Sequence, residues 1–408
     1  MSTGLSTEAL GAVGGGAGVP LDRTVGGVGG TLGGWWRWLN RELLFDRNSI
    51  IHIGILAATA LAVARLGWIG ILLYPVVMIT IEILHYAFKI SLFDTETVIQ
   101  HGYNLSRHIS DNLHSGGLDY GFNFYDGDFT KTRQQAQEDK FRYAFARLGL
   151  RPGMSLIDVG CGCGDWLDWL RRQGVRVAGI NITAGQAHEC RERGLEVHCA
   201  NWKDVAADPE LAKQLFGRFD VVTFWDTVEH YVPSRYLNRV GERDRIYGAM
   251  FELAKKLMRD PNSGRIWISC LHRKDPGKET LPEFLRRRTY CYLLDKYHSG
   301  LYPQASRDEL VLNARRAGLS LVHRRDTTLD YLMTSRLEAA HFGRHHFELT
   351  ARRALVLLWE LIVDPSWFQA LLWFKLEIWM WQFQSDDVEK SDVVNWWLVF
   401  DGAPAVRA

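Results

Sequence analysis

The chain has 408 residues, 47% of them hydrophobic, enough to bury a large core and to hold one catalytic domain with appendages. Lys and Arg number 48 against 47 Asp and Glu, so no global basic field exists to hold nucleic acid, and runs such as Arg286-Arg287-Arg288 read as solvated helix faces. The six cysteines are scattered, and Cys161-Gly162-Cys163 leaves one residue between its thiols where metal knuckles and redox turns use two; this points to reduced thiols in a cytosolic setting and to no metal ligand set.

Residues 1–34 are rich in Gly, Ala, Ser and Thr and carry no apolar periodicity, which predicts a disordered tail that cannot repay the entropy of ordering. A basic start followed by an apolar block is missing, so a secretory signal is disfavoured. Trp35, Trp36, Arg37, Trp38 and Arg41 then combine indoles with cations, a composition suited to a membrane interface. Two apolar arms follow, Ile50 to Ala64 and Trp68 to Ile81, broken at Arg65-Leu66-Gly67. Each is slightly short of the roughly 20 apolar residues of a spanning helix, so residues 35–98 predict either a thin hairpin or an interfacial wedge. A buried helical pair in a soluble fold is the alternative that Glu82, His85 and Lys89 permit, but near-unbroken apolarity favours a membrane-associated segment. Arg37, Arg41 and Arg47 before the arms and Lys89 after them would keep both ends, and the catalytic domain, facing the cytoplasm.

From His101 to Tyr125 the chain is polar and rich in Gly and Asn, reading as a segment laid over a site and opening a domain of residues 99–402. Leu156 to Asp165 is a short apolar run, an acidic residue and then alternate glycines: a strand turning into a helix, where Gly160, Gly162 and Gly164 remove side chains that would bar a ligand from the backbone. A tight turn that binds nothing gives the same pattern. The G-x-G-x-x-G order and the G-K-[ST] of a phosphate loop are both missing, which disfavours nucleotides carrying phosphates. Arg176 to Ile182, Phe219 to Trp225 and Arg265 to Ser269 are further strands, and their alternation with helical segments predicts a parallel sheet with its ligand at the carboxyl ends.

After the second of these comes Asp226-Thr227-Val228-Glu229-His230. A carboxylate at the sheet edge in a largely apolar crevice needs partners, so Glu229 is a candidate for placing a base or stabilising positive charge. The alternative has Glu229 capping the next helix and His230 packing, and for His230 packing is the preferred reading. Leu281 to Leu301 reads as a helical lid. Residues 351–384 carry Trp359, Trp367, Trp373, Trp379 and Trp381 at a spacing that suits helical core packing or the wall of an acyl-chain tunnel.

The L-x-D-x-G ahead of the glycine turn, within this strand series, resembles class I S-adenosylmethionine-dependent methyltransferases. That implies an α/β fold with a Rossmann-like, doubly wound, mostly parallel seven-stranded sheet and S-adenosylmethionine as cofactor. A narrower resemblance runs over about residues 100–402. Tyr103 to Ser106, Tyr120 to Tyr125, Gln135-Ala136-Gln137 with Lys140, Leu148 to Met154, Asp158 to Gly162, Gly179 to Thr183 with Gln186, Trp202, Glu229-His230, Tyr297 leading into Pro303, Asp330-Tyr331 and Val399-Phe400 resemble the cyclopropane-fatty-acid synthase and mycolic-acid methyltransferase family. The resemblance implies cofactor binding by Tyr120, Gly121, Asp158, Gly160, Gly162, Gly164, Asn181, Ile182, Gln186 and Trp202, and catalysis by Glu229 and Tyr331. Many class I enzymes end the second strand on an acidic residue for the ribose; here Asn181-Ile182-Thr183 is similar to this family's own segment.

In that family, methyl transfer to an alkene gives a carbocation, and a bound bicarbonate removes the proton that closes a cyclopropane. Of the positions that hold bicarbonate, Glu229 and Tyr331 match. Phe122, or Asn123 if the gap lies one place over, falls where Cys is expected, and Ser269 falls where His is expected, with His272 three residues on. The sphingolipid C-methyltransferases are similar in having an N-terminal hydrophobic pair and in lacking that His. The resemblance therefore implies C-methylation of an unsaturated membrane lipid or fatty-acyl chain. Cyclopropanation is the competing activity, and a non-catalytic, membrane-anchored binding protein the alternative outside enzymes.

Overall fold

A computed structural model describes residues 47–73, 121–232, 239–273, 307–334 and 393–402, with a few single positions besides. The tail, the Trp35 to Arg41 cluster, most of the second hydrophobic arm, Tyr120, the lid at 281–301 and the tryptophan series at 351–384 lie outside the described residues.

Fourteen elements follow one another among the described residues: α1 (Arg47–Leu66), α2 (Arg133–Leu148), β1 (Ser155–Val159), α3 (Asp165–Arg172), β2 (Arg176–Asn181), α4 (Ala184–Glu192), β3 (Glu196–Cys199), α5 (Pro209–Leu215), β4 (Val221–Trp225), α6 (Val240–Leu257), β5 (Arg265–Arg273), α7 (Arg307–Arg316), β6 (Ser320–Asp326) and β7 (Val393–Asp401). All five residues of β1 and of β4 are buried, as strands covered on both faces require. The seven strands form one sheet in the order β3-β2-β1-β4-β5-β7-β6. The first five are mutually parallel, and β7 runs antiparallel to both β5 and β6.

Alternation along the strands feeds two cores. Ile266 and Ile268 of β5 pack with Met250 and Phe251 of α6 and Leu310 and Ala314 of α7, while Trp267 between them joins Phe141 of α2 and Trp166 and Leu167 of α3 on the opposite face. The sheet is thus doubly wound, as expected. From β1 the chain winds outward through β2 to β3 and then returns to β4 on the other side of β1. That reversal opens a crevice beyond the carboxyl ends of β1 and β4, where an open α/β sheet takes its ligand.

The N-terminal segment is described only in its first arm, the break after it and the first residues of the second arm. Gly67, with φ of +63°, ends α1 at the predicted break and turns the chain into a 3-10 segment, Gly67–Leu72, that lies back against α1. A Cβ on Gly70 would stand 2.3 Å from the Ala62 carbonyl carbon. Among the described residues, however, no helix is long and apolar enough to cross a membrane. The sequence of α1 begins with Arg47 and Asn48 and carries Arg65 in its last turn. Leu61, Leu66, Trp68, Ile69, Ile71 and Leu72 are exposed.

Candidate functional site

The glycine turn sits at the end of β1. Asp158, buried in that strand, accepts a hydrogen bond of 2.7 Å from the Thr223 hydroxyl of β4, tying together the two strands that flank the crevice. The glycines are required for different reasons. A Cβ on Gly160 would meet Thr227 Cγ2 at 2.3 Å, and one on Gly164 would come within 2.8 Å of Cys190 Sγ and Leu195. At Gly162, with φ of +52°, an added Cβ meets nothing within 4 Å, so this glycine faces open space. The outer side of the turn is held by Arg193, whose guanidinium donates to the Cys163 carbonyl at 2.6 Å and to Asp165 at 3.1 Å.

Asn181, at the end of β2, braces the turn from inside. Its Nδ2 donates to the Gly162 carbonyl at 2.9 Å and to Gln186 Oε1 at 3.0 Å, while its Oδ1 accepts from the Thr183 N–H at 2.9 Å. The structure therefore joins Asn181, Gln186 and Gly162 in one network, with Ile182 half-buried beside it. Trp202, after β3, stacks on Tyr231 with ring centroids 4.6 Å apart. The Tyr231 hydroxyl reaches Thr227 and the Val159 carbonyl, which links the loops after β1, β3 and β4. Burial is the main cause that drives the Tyr231 phenol far above its usual range.

At the end of β4, Asp226 adopts φ of +50°, its N–H donates to the Ser269 carbonyl at 2.8 Å, and its carboxyl takes a short hydrogen bond from the Ser269 hydroxyl. Glu229 follows in a 3-10 turn, Val228–His230, and is only 4% exposed. Its Oε2 is buried and has no hydrogen-bond partner. Burial first, and then the charge of Asp226, hold the Glu229 carboxyl well above the usual carboxylate range, against the lowering effect of its own N–H and that of Leu271. Such a carboxyl does not cap a helix, and α6 begins only at Val240. His230 is buried, in keeping with its packing role.

Leu271 leads from Glu229 to the second expected catalytic residue, because it packs with Tyr331, Leu332 and Phe122. Phe122 and Tyr331 meet edge to face at 4.2 Å. The 121–126 segment, including Gly121, is fixed over this end of the sheet by Asp330, whose Oδ1 accepts from the N–H groups of Tyr125 and Asp126 at 2.7 and 3.0 Å. Asn123 lies within it, 1% exposed, with both atoms of its side-chain amide buried and unpartnered. Asp226, Ser269, Asn123 and Asp330 were not among the expected site residues. Asn123 and Ser269 were singled out only as departures from the bicarbonate-holding positions and Asp330 only as the neighbour of Tyr331, and the signal for Asp226 was an acidic residue directly after a wholly apolar strand.

Residues 91–358, well over half of the chain, match the family described as mycolic acid cyclopropane synthetase. The chain belongs to that family. Cyclopropane mycolic acid synthase 1 of Mycobacterium tuberculosis is 29% identical over 163 residues, covering 37% of this chain and 49% of the relative. A probable fatty acid methyltransferase of the same organism is 35% identical over 111 residues, covering 25% of this chain and 24% of its own. The aligned part thus spans about a quarter to a half of these relatives. Among solved structures, mycolic acid cyclopropane synthase CmaA1, complexed with SAH and CTAB, matches with a TM-score of 0.56 at 18% identity, covering 75% of this chain and 97% of that one. That likeness establishes the shared fold.

Within the mycolic acid cyclopropane synthetase family the expected bicarbonate meets a poor fit here. Ser269, in the place of the expected His, gives its hydroxyl to Asp226. Asp226 also brings a second carboxyl beside Glu229, adding negative charge where an anion would have to settle. The residues present do not fit bicarbonate.

Proposed function

We propose that the chain is an S-adenosylmethionine-dependent C-methyltransferase acting on an unsaturated membrane lipid or fatty-acyl chain. The observation that carries this reading is the Glu229 carboxyl, buried with an unpartnered oxygen next to the Tyr331 cluster, at the edge of the same crevice as the glycine turn. When bound, the cofactor supplies an electrophilic methyl group to an alkene carbon. Gly160, Gly162 and Asn181 would shape its cradle: the open space at Gly162 is the volume a side chain would deny it, and Asn181 holds that backbone in place. Trp202 offers an aromatic face beside the crevice. Glu229 and Tyr331 would stabilise the positive charge that methylation leaves on the lipid.

Family membership favours cyclopropanation as the second reading, and the poor fit to bicarbonate favours C-methylation over it. The exposed apolar group around Trp68, itself 76% exposed, supports a lipid-surface location reached by an interfacial wedge, with the catalytic domain on the cytoplasmic face. Mass spectrometry of lipids from cells with and without the gene tests the reading. A methylene gained with the alkene kept is the expected result; a methylene gained with loss of unsaturation means cyclopropanation, and no change leaves a binding protein. Deleting residues 35–93 should release the protein from lipid vesicles while cofactor affinity is kept, and continued sedimentation with vesicles would place the anchor elsewhere.

A further inference from the structure

We propose that the buried amides of Asn123 and Asn395 form a hydrogen-bonding subsite for a hydroxyl group of the lipid substrate, carried within a few bonds of its alkene. The proposal rests on the reading that the substrate is an unsaturated lipid chain, and it names the group that would fix the register of that chain at the reacting centre.

Phe122, Leu271, Tyr331 and Leu332 form the apolar cluster at this end of the sheet, and an amide borders it on each of two sides. Asn123 directly follows Phe122, whose ring meets Tyr331 at 4.2 Å. Asn395 stands in β7 opposite Leu271 of β5, and residues so paired in an antiparallel ladder carry their side chains on one face, about 5 Å apart at Cβ. Both asparagines are 1% exposed. Neither side-chain atom of Asn123 has a hydrogen-bond partner, and nor does Nδ2 of Asn395, whose Oδ1 takes the Thr327 hydroxyl at 2.6 Å.

An amide removed from water without a replacement partner is costly, and neither residue is free to move away from that cost. The Asn123 N–H donates to Thr334 Oγ1 at 3.0 Å, and its chain neighbours are tied in turn, Phe124 to the Ala136 carbonyl at 3.1 Å and Tyr125 to Asp330 at 2.7 Å. Asn395 is held by its own N–H, which donates to the Thr328 hydroxyl at 3.0 Å. Fixed, enclosed and unpaired in the ligand-free chain, the two amides are complementary to a ligand group.

The unmet bonds select that group. Asn123 offers a donor and an acceptor, and Asn395 offers a donor. A hydroxyl can accept twice and donate once, which answers all of these atoms. A carbonyl or ether oxygen leaves Asn123 Oδ1 unmet, and two neutral amides do not repay the desolvation of an ion. The sheet divides the ligands accordingly: the glycine turn and Asn181 stand at the ends of β1 and β2, whereas the two amides stand on the side of β5 and β7, where the cluster around Tyr331 offers an apolar wall to the chain carbons.

Calorimetric binding to the full chain, loaded with S-adenosylhomocysteine, tests the subsite with two lysophospholipids that differ in one group: an oleoyl chain, and a ricinoleoyl chain, which keeps the same alkene and adds a hydroxyl two carbons from it. The wild type should bind the hydroxylated lipid about 10-fold more tightly. Asn123→Leu should erase that preference and, with no amide left stranded, should unfold at a higher temperature than the wild type in the absence of lipid. Asn395→Asp, which keeps the oxygen that serves Thr327 and removes the amide donor, should weaken the preference. A wild type that binds the two lipids equally, or binds neither, refutes the subsite. So does an Asn123→Leu variant that unfolds at a lower temperature, since the amide would then have its partners within the protein. If the preference is present and depends on Asn123 but neither lipid is methylated, the methyl-transfer reading fails and the subsite stands; methylation of both lipids with equal kcat/KM keeps that reading and sinks the subsite.

Discussion

Asn181→Asp is nearly isosteric and would give this chain the acidic residue with which many class I methyltransferases end their second strand, yet the geometry predicts that it does harm. The orientation of the amide is fixed, because Oδ1 faces the Thr183 N–H at 2.9 Å, so the other side must be the donor that serves Gly162 and Gln186. In the aspartate one oxygen keeps the Thr183 bond and the other lies about 3 Å from two acceptor oxygens. Gln186 can turn its amide over and donate; the Gly162 carbonyl, fixed in the turn, cannot. One lost hydrogen bond and one stranded acceptor pair come to about 2–4 kcal/mol. At about 2–4 °C per kcal/mol for a domain of this size, the midpoint of thermal unfolding should fall by about 4–16 °C. The new carboxyl is also held above the usual carboxylate range by the facing oxygens, so its folded form binds a proton that the unfolded chain releases. Stability lost at neutral pH should therefore return as the pH falls through the raised value. Calorimetric unfolding between acid and neutral pH, with cofactor titration alongside, reads both effects. A variant whose midpoint matches wild type at every pH would refute the assignment of Asn181 as the brace of the turn.

Gly160→Ala and Gly162→Ala should separate stability from binding. The first drives a methyl into Thr227 at 2.3 Å and should unfold more easily, whereas the second meets no protein atom and should lose cofactor affinity for about 1 kcal/mol of backbone strain; equal affinity loss in both would argue against a cradle at Gly162. Glu229→Gln should lower turnover yet raise stability at neutral and alkaline pH. The folded-state pKa of Glu229 is raised, so its contribution is fully present below the unfolded value and is lost as pH rises through the folded one, a loss the glutamine does not suffer; a variant less stable than wild type at every pH would contradict this. Tyr331→Phe should cost less turnover than Glu229→Gln, since one neutral hydrogen bond is worth less than charge placement, and kinetics on the identified lipid would show the reverse order if Tyr331 carried the chemistry.

Strands buried on both faces announce themselves in sequence, and β1, β2 and β4 lie within one or two residues of their expected places. The carboxyl half of β5 was not legible because Cys270 to Arg273 is strand by virtue of its pairing with Asn395 and its neighbours, not of its own pattern. An edge strand such as β6, with Arg324 and Arg325 within it, carries too few apolar positions to be singled out. The site followed the same division. The departure from an acidic residue at Asn181 and the carboxyl at Glu229 could be read off the chain, because residue type alone raised the question. The Asp226–Ser269 pair could not: it joins residues 43 apart through a backbone conformation that no local pattern specifies.

The placement of β7 bears on how the protein is made. Among the described residues β6 pairs in the sheet with β7 alone, and the turn that starts the Asp330-Tyr331 segment is tied to Asn395, which takes the Thr327 N–H at 3.0 Å and the Thr327 hydroxyl at 2.6 Å and gives its own N–H to Thr328 at 3.0 Å. While residues 393–401 are still inside the ribosome, β6 and the segment bearing Tyr331 lack these partners, even if the sheet from β1 to β5 has already formed. The glycine turn at the end of β1 thus depends on earlier parts of the chain than the Asp330-Tyr331 segment does. A polypeptide that stops short of β7 would leave both β6 and the outer side of β5 without their partner.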